Sequence, residues 1–176
     1  MVFSSTIFLF VFLPAFLFGS IVASRLGARA RNLNIVIFSL AFYVFGGGIY
    51  TAILIGSILF NWAWARFVLS RTRSPWALAF GVVVNLLPLL AFKYLGFLFA
   101  LTTQYFFRPF LSLDLPVLHF FLPAGISFYT FQAMSYLIDV HRRETPAEPS
   151  LLVFSAYKLL FPQLVAGPIV RYVEVR

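Results

Sequence analysis

The side chains of this chain that could do more than pack are few: five carboxylates, two histidines and a run of hydroxyl and amide groups between Ser127 and Tyr136. A serine nucleophile needs a base within reach, and none accompanies Ser127. Ser127, Tyr129, Thr130, Gln132, Ser135 and Tyr136 therefore have two readings. They bond back to their own helix and glue it to neighbours, or Ser127, Gln132 and Tyr136 present hydroxyls and an amide to a cavity. Asp139 ends the same apolar run, where an ionisable group is costly unless paired or wet. Helical spacing offers it Arg142 or Arg143; the alternative is a role in ordering a substrate entrance on the cytoplasmic side. Lys158 stands in a short apolar segment and is open to a functional reading. His119 and His141 are 22 positions apart, about 33 Å along a continuous helix, so they cannot share an ion. We read both as interfacial and non-catalytic. With no Cys, thiolate chemistry and Cys-based metal sites are excluded, and no metal site is expected.

What must position these groups is a membrane. The 176 residues are 62% hydrophobic and 10% charged, with 24 Phe, whereas a soluble domain carries about 25% charge. A soluble core of this size would leave large apolar patches outside. The net charge of +8 would suggest nucleic acid if it were clustered on a soluble domain. Here the cations lie between hydrophobic runs, which is the signature of topology, and no nucleic-acid partner is expected.

The expected fold is all-α and polytopic, with about five spans and a re-entrant or broken C-terminal segment. The first span covers residues 3–23, kinked at Pro14, and reads as an uncleaved membrane helix. Residues 33–45 give only about 20 Å of helix, a short span or half of a re-entrant hairpin, and Gly46-Gly47-Gly48 breaks it. A third span covers 49–69. The fourth begins at Trp76 and ends where Lys93 snorkels to the headgroups beside Tyr94, leaving 96–107 as an interfacial or projecting helix. After a loop at 108–116, a fifth span covers 117–140. Residues 151–161 are too few to span. Their continuation, 162–168, carries the breakers Pro162, Gly167 and Pro168 and reads as non-helical backbone, which hydrocarbon tolerates only under protein cover or beside water.

The loops after spans one, three and five hold Arg25, Arg29, Arg31, Arg66, Arg71, Arg73, Arg142 and Arg143, against Arg108 alone on the other side. Lys/Arg bias then puts those three loops in the cytoplasm and the N-terminus outside.

Four stretches resemble the membrane-bound O-acyltransferase family, of the alginate and polysaccharide O-acetyltransferase type. They are Met1-Val2-Phe3-Ser4-Ser5 continuing to Leu13-Pro14; Phe92-Lys93-Tyr94; Leu122-Pro123-Ala124-Gly125-Ile126-Ser127-Phe128-Tyr129-Thr130-Phe131-Gln132 with Ser135-Tyr136 and Ile138-Asp139-Val140; and Phe161-Pro162-Gln163-Leu164-Val165-Ala166-Gly167-Pro168-Ile169-Val170-Arg171. The last two, in this order, are the specific ones.

The resemblance implies that residues 1–176 are the N-terminal part of such an acyltransferase in a bacterial inner membrane, crossing it several times. The activity implied is transfer of an acyl group, typically acetyl, onto a hydroxyl of an extracytoplasmic polysaccharide such as alginate, or onto a periplasmic relay protein. No bound cofactor is implied; acetyl-CoA or another acyl carrier enters as co-substrate, and the lipid bilayer is the constant partner. The family's functional histidines lie further on, one in a Trp/Arg-rich stretch and the catalytic one after a Trp. No catalytic residue is thus expected in this chain, which alone should be inactive. At 141 the family often has Tyr, so His141 is a local departure. Ser127, Tyr129, Gln132, Asp139, Gln163 and Arg171 are the candidates for a cavity or substrate path. A transporter or polysaccharide-export fragment is a rival reading, because broken helices at membrane depth also mark transport sites; a non-catalytic membrane scaffold is another.

Overall fold

A computed structural model describes residues 5–95, 97, 125–166 and 170–175, and every described element is a helix. Three helical runs, Phe8–Leu26, Ala28–Leu69 and Pro75–Tyr94, are long and apolar enough to cross a membrane. The chain is an all-α membrane protein.

The first run starts with a π-helical turn, Phe8–Phe12, in which the Leu13 N–H reaches back to Phe8 O, and continues as α1, Leu13–Leu26. Pro14 follows that wide turn directly; it has no N–H to give, and the turn is where the ladder accommodates the loss. The second run comprises α2, Ala28–Gly47, and α3, Thr51–Trp64, prolonged by a π turn, Ala65–Leu69. Between them Gly48 takes φ 54°, ψ −128°, a backbone that a side chain strongly disfavours. The break expected at Gly46-Gly47-Gly48 is therefore present. The short second stretch is corrected: α2 has 20 residues, about 30 Å, because the helix begins five residues before the apolar stretch and takes Arg29, Arg31 and Asn32 into its first turns.

The fourth helix, α4, Pro75–Leu90, carries Pro88 inside it and widens into a π turn, Ala91–Leu95. Lys93 is exposed at its end, 5.5 Å from the Tyr94 ring centre. Of the expected helix at 96–107 only residue 97 is described, and the loop at 108–116 and His119 lie outside the described residues. The fifth helix, α5, Ile126–Arg142, starts later than expected. Gly125 precedes it in a left-handed conformation, φ 75°, so no helix continues through it, and the part expected from 117 lies outside the described residues.

The C-terminal part is broken, but differently from expectation. Helix α6, Leu151–Leu159, is capped by the Ser150 hydroxyl, which accepts from Val153 N–H at 3.4 Å. At Leu160 the backbone leaves the helix, with ψ 100°. It re-enters as α7, Phe161–Ala166, so the non-helical backbone expected from Pro162 is not found there. Pro162, the second residue of α7, occupies a first-turn position where its missing donor costs nothing, and it is exposed rather than buried. Gly167 and Pro168 lie outside the described residues. A single turn, α8, Tyr172–Val175, completes the description.

Helix α2 packs on α1 and α6, α4 packs on α5, and α3 lies against both α5 and α6. Amides and small residues hold the apolar helices together. Asn61 of α3 and Asn85 of α4 donate to each other's side-chain oxygen, both at 2.8 Å. Trp64 Nε1 donates to Ala77 O at 3.0 Å. At Gly81 a Cβ would lie 2.9 Å from Leu137 Cδ1 and 3.0 Å from Trp64 Cδ1, so any larger residue would push these side chains aside where α3, α4 and α5 meet. Phe161 of α7 seats its ring among Phe8, Phe12, Phe16 and Phe42, at centroid distances of 6.0, 5.5, 5.3 and 5.4 Å. The break at Leu160 is thereby pinned to the first two helices.

Candidate functional site

Helix α5 turns its polar side chains inward. Ile126, Tyr129, Thr130, Ala133, Tyr136, Leu137 and Val140 recur at three- and four-residue spacing and are buried together with Gln132 and Asp139, while Phe128 and Phe131 face out. Against this face α6 presents Phe154, Tyr157 and Lys158. Two polar centres result.

The inner one surrounds Lys158, whose side chain is fully buried. Its ammonium donates to the Tyr129 carbonyl at 2.5 Å and lies 5.8 Å from the centre of that residue's ring. Among the described residues no carboxylate forms an ion pair with it. The hydroxyls of Tyr43 on α2 and Tyr129 are electrostatic neighbours, and both are buried with no partner; Gln132, whose Oε1 is also unpartnered, turns its side chain to Tyr157. Buried polar atoms are nearly always satisfied. Two neighbouring unpartnered hydroxyls, one on the residue whose carbonyl the buried amine contacts, therefore have the composition of a wet cavity or of a place where another polar group docks. A cleft of about 230 Å³ between α3, α4 and α5, lined in part by Gly56, Pro88, Tyr129 and Thr130, opens beside it.

The second centre is at the other end of α5. Asp139, 2% exposed, accepts two hydrogen bonds from Arg171, one of them from Nε at 3.2 Å. The same guanidinium reaches Glu144. These bonds, Asp139 first and then Glu144, hold the Arg171 pKa above even its usual high value. Beside it the Glu148 N–H donates to the Tyr136 hydroxyl at 2.9 Å, and the Tyr172 hydroxyl donates to the Glu148 carboxylate. The segment after α5 is thus tied to Arg171-Tyr172 by charge-assisted bonds.

The expected partners of Asp139 are corrected by this arrangement. Arg142 lies 3.8 Å from Glu144, and Arg143 donates to Ser70 O at 2.9 Å. Arg143 has a left-handed backbone, φ 63°, which turns its side chain away from the preceding carboxylate. Of the other expected site residues, Tyr129 belongs to the inner centre, Gln132 turns to Tyr157, and Ser127 is half-buried outside that centre. Gln163 Oε1 is buried without a partner and lines a 320 Å³ cleft with Arg31, Tyr157 and Tyr172. The His141 Nδ1 is likewise buried and unpartnered. Sequence reasoning missed Tyr43 and the Glu148–Tyr172 bond. The only signal for Tyr43 was a phenol four residues after Ser39 in an apolar helix.

The three Arg-rich loops meet at one end of the bundle. Arg31 and Asn32 share a cleft with Glu148 and Tyr172, and Arg66 and Arg71 share another with Arg143 and Pro146.

Comparison with known proteins identifies the surroundings in which such a bundle occurs. No family model matches and no solved structure matches. The chain is 41% identical over 184 residues to a probable alginate O-acetylase of Pseudomonas aeruginosa, covering 99% of this chain and 34% of the relative. It is 41% identical over 180 residues to the probable alginate O-acetylase of Azotobacter vinelandii, covering 98% and 34%. To a peptidoglycan O-acetyltransferase of Helicobacter pylori it is 30% identical over 207 residues, covering 99% and 38%. The chain thus spans about a third of the length of the curated relatives it matches. Over that shared length the chain is similar to proteins named as alginate O-acetylases and to one named as a peptidoglycan O-acetyltransferase.

Proposed function

We propose that this chain is the N-terminal portion of a multi-pass inner-membrane O-acyltransferase that acetylates an extracytoplasmic polysaccharide such as alginate. The observation that carries this reading is the 41% identity to a probable alginate O-acetylase across 99% of the chain. In the reaction, the acceptor hydroxyl oxygen attacks the carbonyl of an acyl thioester, the carbon–sulfur bond breaks, and the hydroxyl proton passes to a general base. Acetyl-CoA or another acyl carrier supplies the acyl group from the cytoplasm, and a polysaccharide or a periplasmic relay protein receives it.

In this reading the base is a histidine beyond residue 176, and the described residues build one wall of the path to it. The fully buried Lys158 presents an amine that donates to the Tyr129 carbonyl, next to the unpartnered hydroxyls of Tyr129 and its neighbour Tyr43. It suits a position where negative charge develops or passes. The Asp139–Arg171–Glu144 cluster anchors the break after α6, which keeps Gln163 near the Arg-bearing end. The meeting of the three Arg-rich loops at one end supports placing that end in the cytoplasm.

The test is reconstitution. Membranes carrying this chain alone, and membranes also carrying the segment that corresponds to the other two thirds of the relatives, receive acetyl-CoA and de-acetylated alginate. Acetyl transfer is expected only in the second case. Turnover by the chain alone that vanishes with His119→Ala or His141→Ala would refute the division of labour. A downstream segment with no Trp-flanked His would favour a transport or scaffold role.

A further inference from the structure

The pocket between the end of α3 and the loop after α5 holds a cluster of charge that has no part in the reaction proposed above. Arg66, Arg71 and Arg143 line a cavity of about 400 Å³ with Ser70, Phe67 and Pro146. No carboxylate lines it, and among the described residues none of the three arginines forms an ion pair. Three guanidiniums converging without a counter-charge repel one another unless an anion joins them.

The cluster is built rather than incidental. Arg143 takes φ 63°, the only positive φ of a non-glycine among the described residues, and in that conformation donates to Ser70 O at 2.9 Å, across 73 positions of sequence. Arg66 is held against Trp62 and Phe67, with its guanidinium carbon 6.0 and 5.9 Å from the ring centres. The charges are therefore placed by aromatic and backbone contacts, which leave the outward donors of the guanidiniums available.

Position decides what the anion is. The pocket closes the end of a membrane-length helical run, and an apolar strip leads along α3 to it. Ile55 and Leu59, 40 and 47% exposed, stand about one turn apart on α3, and Phe67, 49% exposed, lies beyond them in the π turn that lines the pocket. A soluble anion would need the arginines alone. A molecule with a phosphate at headgroup depth and a hydrocarbon tail would use the strip as well. We infer that the Arg66–Arg71–Arg143 pocket binds the phosphate of an anionic phospholipid whose acyl chain lies along Ile55, Leu59 and Phe67. This holds whatever group the chain transfers.

The experiment is native mass spectrometry of the chain extracted in mild detergent and offered equal amounts of phosphatidylglycerol and phosphatidylcholine. Wild type should retain one phosphatidylglycerol in clear preference. Replacing Arg66→Gln and Arg71→Gln together should weaken retention by about fivefold for each charge removed, with Arg66→Lys and Arg71→Lys keeping most of it. Arg29→Gln, an exposed cation on α2, should change nothing. Leu59→Ala, on the strip and outside the pocket lining, should weaken the lipid while leaving any binding of inorganic phosphate as it was. Equal retention of phosphatidylcholine, or equal loss with Arg29→Gln, would overturn the site. Displacement of the lipid by millimolar inorganic phosphate, with Leu59→Ala silent, would overturn the lipid assignment in favour of a soluble phosphate ligand.

Discussion

Helices α4 and α5 are nearly equal in length, 16 and 17 residues, and they pack on each other, yet they solve opposite problems. Helix α4 is almost wholly apolar and mostly outward: Trp76, Phe80, Val83 and Leu87 all face out. Helix α5 carries Ser127, Thr130, Gln132 and Asp139, and nine of its residues are buried. In water the apolar helix would be the inner one. In a bilayer hydrocarbon accepts Leu and Phe readily, so burial is reserved for what hydrocarbon rejects. The comparison separates a helix that holds position from a helix that carries the site.

The sharpest way to break that contrast is truncation of one aromatic in each helix. Tyr136 in α5 is 0% exposed and packs at 4.7 Å from Phe154 and 5.2 Å from Tyr172, whereas Phe80 in α4 is 51% exposed. Tyr136→Ala should cost about 3 kcal/mol through the cavity it leaves and the Glu148 amide it orphans. Phe80→Ala should cost less than about 1 kcal/mol, because it empties no enclosed space. Unfolding in mixed micelles followed by tryptophan fluorescence reads both. Equal costs would mean that the outward face of α4 is not outward.

A smaller effect tests how the holding helices are held. Asn61→Leu strips the Asn85 amide of its reciprocal partner in a buried place and should cost about 1–3 kcal/mol. Asn61→Leu with Asn85→Leu should recover much of that, since removing both partners leaves no orphan. If the double variant is as weak as the sum of the singles, the pair is not a mutual one. Below it in size comes glycine. Gly81→Ala places a methyl 2.9 Å from Leu137 Cδ1, while at Gly56 nothing lies within 4 Å of the added carbon. The first should cost about 1 kcal/mol by overpacking and the second nothing measurable.

The holding helices were the legible part. Runs of apolar residues, Pro, Gly48 and flanking Arg gave α1, α3 and α4 nearly complete, because in a membrane composition alone decides what can span. Helix α2 was misjudged by five residues since Arg29 and Arg31 were counted as loop, although long cations at a helix end snorkel without breaking it. The carrying helix was read less well. Periodicity says which residues share a face and not which other helix that face meets. Hence Lys158 stayed open until α6 was seen to deliver it to Tyr129, and Tyr43 went unnoticed on α2. Pro162 misled in the same way: a Pro signals a break, and only tertiary packing shows that the break falls before it, at Leu160, with Phe161 pinned among four other rings.

The smallest expected effect settles which arginine serves Asp139. Spacing along one helix favoured Arg142 or Arg143, three and four positions on, since those are the neighbours that a sequence can show. The structure brings Arg171 instead, 32 positions away. The two alternatives differ in a double-mutant cycle. Arg142 is 66% exposed on its side chain and its nearest carboxylate is Glu144 at 3.8 Å, an arrangement that typically contributes about 0–1 kcal/mol. Arg142→Gln should therefore be near silent by itself, and its coupling to Asp139→Asn should stay within about 0.5 kcal/mol. Arg171→Gln and Asp139→Asn should be clearly non-additive, because each alone strands the other's hydrogen-bonding groups, in Asp139's case in a site only 2% exposed. A further readout separates local pairing from mere instability. With Arg171→Lys, which keeps the charge but loses the two-pronged geometry, the segment after α5 should become more open to proteolysis while Arg142→Lys leaves it unchanged. Coupling that instead follows Arg142 would mean that Asp139 is a helix-end charge paired within its own helix, and that the site-carrying helix is not anchored by the segment holding Arg171.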